Sequence, residues 1–266
     1  MKKLALSSLI AVFAVSGAHA ANVIDGNPLY MPKANHFYSV TDLSSHSENT
    51  SDWTLAEDFG YGITDKIAIN AKIAMSEMES FDDYGMGDLA FGATFRALDL
   101  GAWKVDAYGE YATEGATVFA HSKAADDTFW FDKDLINYTW KAGVRGGYTT
   151  SVFTVAGHVE FDYTNTESFN WGDDGIHALK LGVDGQYVID NNWNLVAGVE
   201  YRGVMDDGVK NAGTVNGMLG VNYNIDSTKF VGAYVRGNLD HHQGNAADEW
   251  GWEDGFGFGA KFGIDF

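Results

Sequence analysis

Apolar residues alternate with small or polar residues in one segment of the chain after another. The clearest case lies at residues 255–266, where one row carries Phe256, Phe258, Ala260, Phe262, Ile264 and Phe266 and the other carries Gly257, Gly259, Lys261, Gly263 and Asp265. A period of two residues is typical of a β-strand with two unlike faces. The pattern therefore predicts a strand whose apolar row continues to the final residue.

Similar alternation recurs about twelve times, in segments of roughly ten residues, which is the length that a tilted strand needs to cross a bilayer. The segments are 35–43, 53–63, 67–75, 89–95, 103–111, 140–148, 153–161, 179–187, 193–201, 215–223, 229–239 and 255–266. The first and the eleventh are the least regular. We predict an all-β fold, a transmembrane antiparallel up-and-down β-barrel of about 12 strands, with 10 to 14 possible.

The connections between these segments alternate between short and long. Short ones are predicted at 64–65, 97–102, 149–152, 189–192 and 225–228, and long ones at 77–86, 113–134, 164–175, 203–213 and 240–254. Short periplasmic turns and longer external loops are the plan of an outer-membrane barrel. A soluble β-sandwich has no reason to sort its loops in this way.

Aromatic residues recur where the strands meet the short turns. They are Tyr61, Phe95, Trp103, Tyr148, Phe153, Tyr187, Trp193, Tyr223 and Phe266, with Trp53, Tyr111, Phe161 and Tyr201 as candidates at the opposite ends. Rings of aromatic residues at two levels are typical of the interfacial girdles of a membrane barrel.

The N-terminus has the layout of a cleaved secretory signal. Lys2 and Lys3 precede the apolar run 4–15, and Ala18-His19-Ala20 forms a small-residue cleavage site. An uncleaved membrane anchor is the alternative, but the apolar run is too short to span a bilayer. We therefore expect a signal peptide at 1–20, a periplasmic N-terminal segment at 21–34 and the barrel at 35–266.

Composition narrows the possible partners. The formal net charge of −20 argues against a nucleic-acid partner. The chain has no cysteine, which excludes disulfides and a cysteine-linked lipid anchor. The two prolines precede the alternating region, whereas the 32 glycines are spread through it.

From about Asn35 to Phe266, the chain resembles the Gram-negative single-chain outer-membrane β-barrel (porin-like) superfamily. The resemblance rests on the strand pattern, the sorted loops and the ending "FGIDF". It implies a location in the outer membrane, contact with outer-membrane lipids, and recognition by the barrel-assembly machinery through an assembly signal that includes Phe266.

Sorting the charges by this topology suggests a function. Both signs occur on the inward rows, while the excess acid lies in the long loops. We predict a porin-like channel for passive diffusion of small hydrophilic solutes, with an acidic mouth that favours cations. The candidate pore-lining residues are Lys104, Asp106, Glu110, Lys141, Arg145, Glu160 and Arg202. A closed structural barrel, whose inward charges pair and whose external loops bind a partner, is the alternative.

Two chemical sites are weaker hypotheses. His158, Glu160 and Asp162 share an inward row, as a barrel hydrolase would need, but no serine motif accompanies them. Asp240-His241-His242 has ligand types for a divalent metal in an unspecific spacing. We therefore predict no enzyme activity, no cofactor and no metal.

Overall fold

A computed structural model describes residues 26–47, 53–80, 83–114, 119–122, 127–130, 137–165, 176–205, 213–242 and 256–266. The predicted signal peptide and much of four long loops fall outside these residues. The strands are β1 (Phe37–His46), β2 (Trp53–Thr64), β3 (Ile67–Ser80), β4 (Asp83–Leu100), β5 (Trp103–Glu114), β6 (Phe119–Ser122), β7 (Asp127–Trp130), β8 (Asn137–Thr149), β9 (Phe153–Asn165), β10 (Ile176–Val188), β11 (Trp193–Val204), β12 (Gly213–Asn224), β13 (Lys229–His242) and β14 (Phe256–Asp265). Within the described part, no helix is long and apolar enough to cross a membrane.

Twelve of these strands form a closed antiparallel barrel. Each pairs with its neighbour along the chain, with β5 followed directly by β8, and the pairing of β1 with β14 closes the ring. Phe37 and Phe266 exchange backbone hydrogen bonds of 2.7 and 2.9 Å at this seam. The predicted all-β up-and-down barrel of 12 strands is confirmed.

The packing is inverted relative to that of a water-soluble protein. The outward rows carry exposed apolar side chains such as Phe59, Phe91 and Val183. Inward rows carry small residues such as Ala156 and buried polar ones such as Asp162. This distribution suits a barrel whose outside contacts lipid, because lipid-facing side chains are apolar and ring closure pairs the edge strands of the sheet.

Aromatic rings pair across strands at the level of the short turns. The ring centroids are 4.4 Å apart for Phe37 and Tyr61, 4.9 Å for Trp103 and Tyr148, and 4.9 Å for Trp193 and Tyr223. Phe153 and Tyr187 are also register partners. Because these pairs recur around the barrel, they form the predicted aromatic ring at one level of the wall.

Each of the five short turns is closed by a side-chain oxygen that accepts a hydrogen bond from a backbone N–H two residues later. The acceptors and their N···O distances are Thr64 at 3.1 Å, Asp99 at 3.0 Å, Thr150 at 3.1 Å, Asp190 at 2.8 Å and Asp226 at 2.7 Å. Asp and Thr side chains stabilise turns in this way, as Asx- and ST-turns. Local sequence therefore specifies the short turns.

Three segments differ from the prediction. The predicted loop at 77–86 is mostly strand, because β3 and β4 extend to Ser80 and from Asp83. An extension beyond the membrane needs no apolar row, so alternation does not reveal it. The predicted loop at 113–134 contains β6 and β7, with β6 paired to β4. In β13, Phe230 and Tyr234 lie on the inward row opposite the apolar outward row, which explains why alternation in that segment is irregular. The register also shifts opposite Val215 and Asn216.

Candidate channel lumen

All of the predicted pore-lining residues lie on the inward rows, as the strand registers show. Lys104, Asp106 and Glu110 are on β5, Lys141 and Arg145 on β8, Glu160 on β9 and Arg202 on β11. They are not equivalent, however. Lys104 lies near the short turns, Asp106 is fully buried, and Arg202 is the register partner of Lys180 on β10.

Asp106 lies between two guanidinium groups. Arg96 Nε and Nη2 donate to its two oxygens at 2.8 and 3.1 Å, and Arg145 Nε donates to Oδ2 at 3.1 Å. Asp106 is 0% exposed and Arg96 is 5% exposed. A buried carboxylate needs such complete pairing, because desolvation of an unpaired charge is costly. Asp106 therefore fixes the two arginines rather than presenting its charge to solute.

Closer to the long loops, lysines pair with carboxylates on neighbouring strands. Lys141 Nζ lies 2.8 Å from Glu110 Oε1. Lys180 Nζ lies 2.9 Å from Glu160 and 3.0 Å from Asp162. Charges of both signs therefore alternate around this level of the wall, and the field that they set up is mainly local.

His158 is held by two carboxylates. Its Nδ1 lies 3.0 Å from Asp184 Oδ2 and its Nε2 lies 3.1 Å from Glu200 Oε2. Both ring nitrogens are thus engaged, and neither is directed at a hydroxyl nucleophile. This geometry favours a structural role for His158 over the hydrolase hypothesis.

Three inward tyrosines each lie over a glycine on the adjacent strand. Their register partners are Gly60 for Tyr38, Gly143 for Tyr108 and Gly259 for Tyr234. A Cβ added to any of these glycines would lie within 2.6 Å of the ring. Tyr234 donates to Asp42 at 3.0 Å, and the Arg145 guanidinium lies 5.7 Å from the Tyr108 centroid. The tyrosine rings therefore lie along the barrel wall, and Tyr234 and Tyr108 also contact charged side chains in the lumen.

Residues 26–36 cross the lumen at the end that carries the short turns. Gly26, with a φ of 94°, lies so close to Val196 on β11 that a Cβ would approach its Cγ1 to 2.1 Å. At the other end of the segment, the Asn35 N–H donates to the Gly62 carbonyl at 2.7 Å. The segment therefore spans from the β11 wall to β2 and narrows the opening.

The middle of this segment is bound to the barrel wall by polar contacts. Arg96 Nη2 donates to the Leu29 carbonyl at 2.7 Å, and the Tyr30 hydroxyl donates to Asp265 Oδ2 at 3.1 Å. Burial, together with the nearby Asp265 carboxylate, raises the pKa of Tyr30 well above its usual range. Tyr30 therefore remains a neutral hydrogen-bond donor.

Water-sized space remains inside the barrel in three adjoining cavities. One of about 370 Å³ adjoins Tyr30, Asp58 and Lys72. A second, of about 420 Å³, and a third, of about 360 Å³, are both lined by His158 and Glu200. Asn27, Tyr108 and Arg145 line both the first and the second cavity, so these three residues lie between them.

The described residues contain no group of three or more His, Cys, Asp or Glu side chains placed to hold a metal ion. The side chains of His241 and His242 lie outside the described part of the chain. The hypothesis of a metal site at Asp240-His241-His242 therefore stays a sequence-based idea.

No protein-family model matches the chain, and no curated protein matches its sequence. Solved structures do match its fold. The NanC porin has a TM-score of 0.60 at 8% identity, with 86% of this chain and 98% of that chain covered. The KdgM porin has a TM-score of 0.57 at 6% identity, covering 86% and 99%. The chain therefore shares the β-barrel fold of these porins. An outer-membrane channel from Pseudomonas putida is also similar, with a TM-score of 0.52 at 13% identity over 92% of this chain and 100% of that one.

Two features of the barrel lumen escaped the sequence analysis. Arg96 lies on a predicted inward row, but nothing in its neighbourhood singles it out as the residue that joins Asp106 to the N-terminal segment. The sequence predicts a periplasmic N-terminal segment at 21–34 without placing it relative to the barrel, and the structure places residues 26–36 within the opening. Its two prolines and lack of alternation exclude a strand but do not indicate where it docks.

Proposed function

We propose that the protein is an outer-membrane channel for passive diffusion of small hydrophilic solutes. The observation that carries this proposal is the polar lumen of a 12-strand barrel, which contains cavities that adjoin at Asn27, Tyr108 and Arg145. Similarity to porins and to an outer-membrane channel supports it and supports the outer-membrane location. Passage would follow the concentration gradient, with no covalent step, cofactor or enzyme activity.

Selectivity in this proposal arises mainly at the mouth. The described lumen charges are largely paired, whereas the long loops carry many unbalanced acidic residues. An acidic entrance concentrates cations and repels anions. One similar porin is in complex with oligogalacturonate, a polyanion. We propose that this chain instead admits neutral and cationic solutes more readily than polyanions.

The seven predicted lining residues have different positions and roles in the proposed pathway. The end near the long loops is lined by Lys141, Glu110, Glu160 and Arg202. The end near the short turns is lined by Lys104. Asp106 acts indirectly by positioning Arg145. Phe266, at the seam with β1, is proposed to be part of the signal read by the barrel-assembly machinery.

Single-channel recording in a planar bilayer tests this function. We expect steady conductance and, under a salt gradient, a reversal potential that indicates cation preference. Charge reversal of the mouth, by changing Asp240, Asp248 and Glu249 to lysine together, should reduce that preference. Lys141→Glu, within the paired wall, is the matched control and should change it less. Anion preference of the unmodified protein would contradict the acidic-mouth proposal.

A closed barrel with external loops that bind a partner is the second candidate. The observation that favours it is the N-terminal segment, which obstructs the end with the short turns and is bound to the wall through Leu29 and Tyr30. A folded barrel that passes no current, even after deletion of this segment, would support the closed barrel and refute the channel.

A further inference from the structure

Between its two aromatic levels, the described part of the membrane-facing surface carries a single polar patch. Between the two aromatic levels, the described outward positions hold glycine, alanine and larger apolar residues, apart from Ser39 and Thr41 on β1 and Glu57 on β2. Thr41 and Glu57 are register partners, and Ser39 is two residues along the same row. All three exceptions are therefore contiguous, and we define them as the outer polar patch.

Glu57 occupies the middle of the membrane-facing row of β2. It lies four residues from Trp53 at one aromatic level and four from Tyr61 at the other. Thr41 Oγ1 donates to Glu57 Oε2 at 2.6 Å, and Ser39 Oγ donates to Oε1. An ionisable side chain at this depth is costly in contact with lipid and generally indicates a functional contact.

Lipid cannot complete the hydrogen bonding of this patch. Acyl chains have neither donors nor acceptors, and head groups lie at the level of the aromatic rings rather than between them. The carboxylate has lone pairs beyond the two that its neighbours occupy. The patch therefore fits a protein surface that reaches the same depth and offers polar groups of its own.

We propose that the outer polar patch is the contact through which two copies of this chain form a dimer in the membrane. A second copy meets the requirement because it presents the same hydroxyl and carboxyl groups at the same depth. Hydroxyls can both donate and accept, so the Ser39 and Thr41 hydroxyls of each copy can donate to the Glu57 carboxylate of the other. The patch is thus self-complementary across a two-fold axis, as an isologous interface must be.

The wall allows close approach on the β1 side of the patch, where Ser39 and Thr41 are small. On the other side, Ile73 on β3 is the register partner of Glu57, and Ala71 lies diagonally from it, beside Phe59. In lipid the hydrophobic effect does not drive association between protein surfaces. Small residues that allow close packing, and hydrogen bonds between the partners, drive it instead. Between the two aromatic levels, the opposite wall, at Val183 on β10, has no polar group among its described outward residues. One patch per chain limits the assembly to a pair.

Cysteine cross-linking in native membranes tests the interface, and the cysteine-free sequence makes it unambiguous. Ala71→Cys, beside the patch, should form a disulfide-linked species of twice the monomer mass under mild oxidation. Val183→Cys, on the opposite wall, is the control and should stay monomeric. Equal cross-linking of both variants, or cross-linking of neither, would overturn the proposal.

Glu57 variants in the Ala71→Cys background distinguish hydrogen bonding from chance contact. Glu57→Leu should abolish the cross-linked species while the barrel still folds, as judged by its heat-modifiable mobility on a gel. Glu57→Gln, which retains donors and acceptors, should preserve it. Unchanged cross-linking in Glu57→Leu would overturn the proposal. Cross-linking does not depend on channel activity. A negative cross-linking result would therefore not bear on the proposed conductance, which single-channel recording tests separately.

Discussion

The ring of Tyr108 on β5 lies against Gly143, its register partner on β8, so closely that a Cβ on Gly143 would lie 2.5 Å from the ring. Glycine therefore creates the space in which the ring leans along the wall and meets the guanidinium of Arg145. Together with Asn27, these two side chains lie between the cavities on either side.

Removing this ring should widen the pathway. Tyr108→Ala eliminates one of the side chains between the cavities, so the adjoining cavities merge and we expect a larger single-channel conductance. Tyr108→Phe keeps the ring and should leave the conductance near that of the unmodified protein. Equal conductance in Tyr108→Ala and the unmodified protein would mean that the narrowest point lies elsewhere.

Asp106→Ala should strongly destabilise the barrel. It leaves the buried guanidinium of Arg96 and the nearby one of Arg145 without their shared carboxylate, and breaking a buried pair from one side costs about 3–5 kcal/mol. The free energy of unfolding can be measured with urea in lipid vesicles. Glu110→Gln breaks a partly exposed pair and should cost about 0–1 kcal/mol. Similar losses in both variants would contradict the central role of Asp106.

Deletion of residues 26–33 should open the end of the lumen that carries the short turns. The deletion removes the span from the β11 wall towards β2 and the contact with Arg96. We expect a higher conductance from a barrel that retains its β-sheet circular dichroism. Leu29→Ala, which keeps the backbone carbonyl bound by Arg96, is the matched control and should conduct like the unmodified protein. An unchanged conductance after deletion would show that the segment does not obstruct the path.

Asp226 should titrate at unusually low pH. The Thr228 N–H and hydroxyl both donate to its Oδ1, at 2.7 and 2.8 Å, and this lowers the pKa of the exposed Asp226 carboxyl. Its contribution to turn stability is present above the unfolded pKa, about 3.9, and is lost as the pH falls through the folded-state value. NMR titration in micelles measures the midpoint. Thr228→Ala should raise this titration midpoint only partly, because the backbone N–H of residue 228 still donates to Asp226. An unchanged midpoint would show that the Thr228 hydroxyl does not contribute.

The barrel itself could be predicted from sequence because its rules are local and repeated. Alternation with a period of two locates the strands, and the aromatic residues that precede or follow the short turns mark one level of the wall. The turn residues Asp99, Asp190 and Asp226 close their own turns, so no distant contact is needed. Where a rule fails locally, as at the inward aromatic residues of β13 or the polar extensions of β3 and β4, the prediction fails there too.

The candidate site was only partly predictable, because alternation states which side a residue faces and not which residue it meets. All seven lining candidates are on the inward rows, yet the burial of Asp106 depends on Arg96 and Arg145, which come from two other strands. The position of Leu29 depends on a segment that has no periodic pattern. Such contacts follow from barrel closure and cannot be read from one strand.

One strand pair of the barrel differs from the others in when it can form during folding. Every pair joins strands that follow one another around the barrel and along the chain, except the pair of β1 with β14. Local pairs form early because their loop-closure entropy is small, whereas the last pair must bring together the two ends of the chain. Until that seam closes, two unpaired edges are exposed, and they can join to each other or to the strand of another chain. The lifetime of this open intermediate therefore sets the period during which the chain is vulnerable to misassembly.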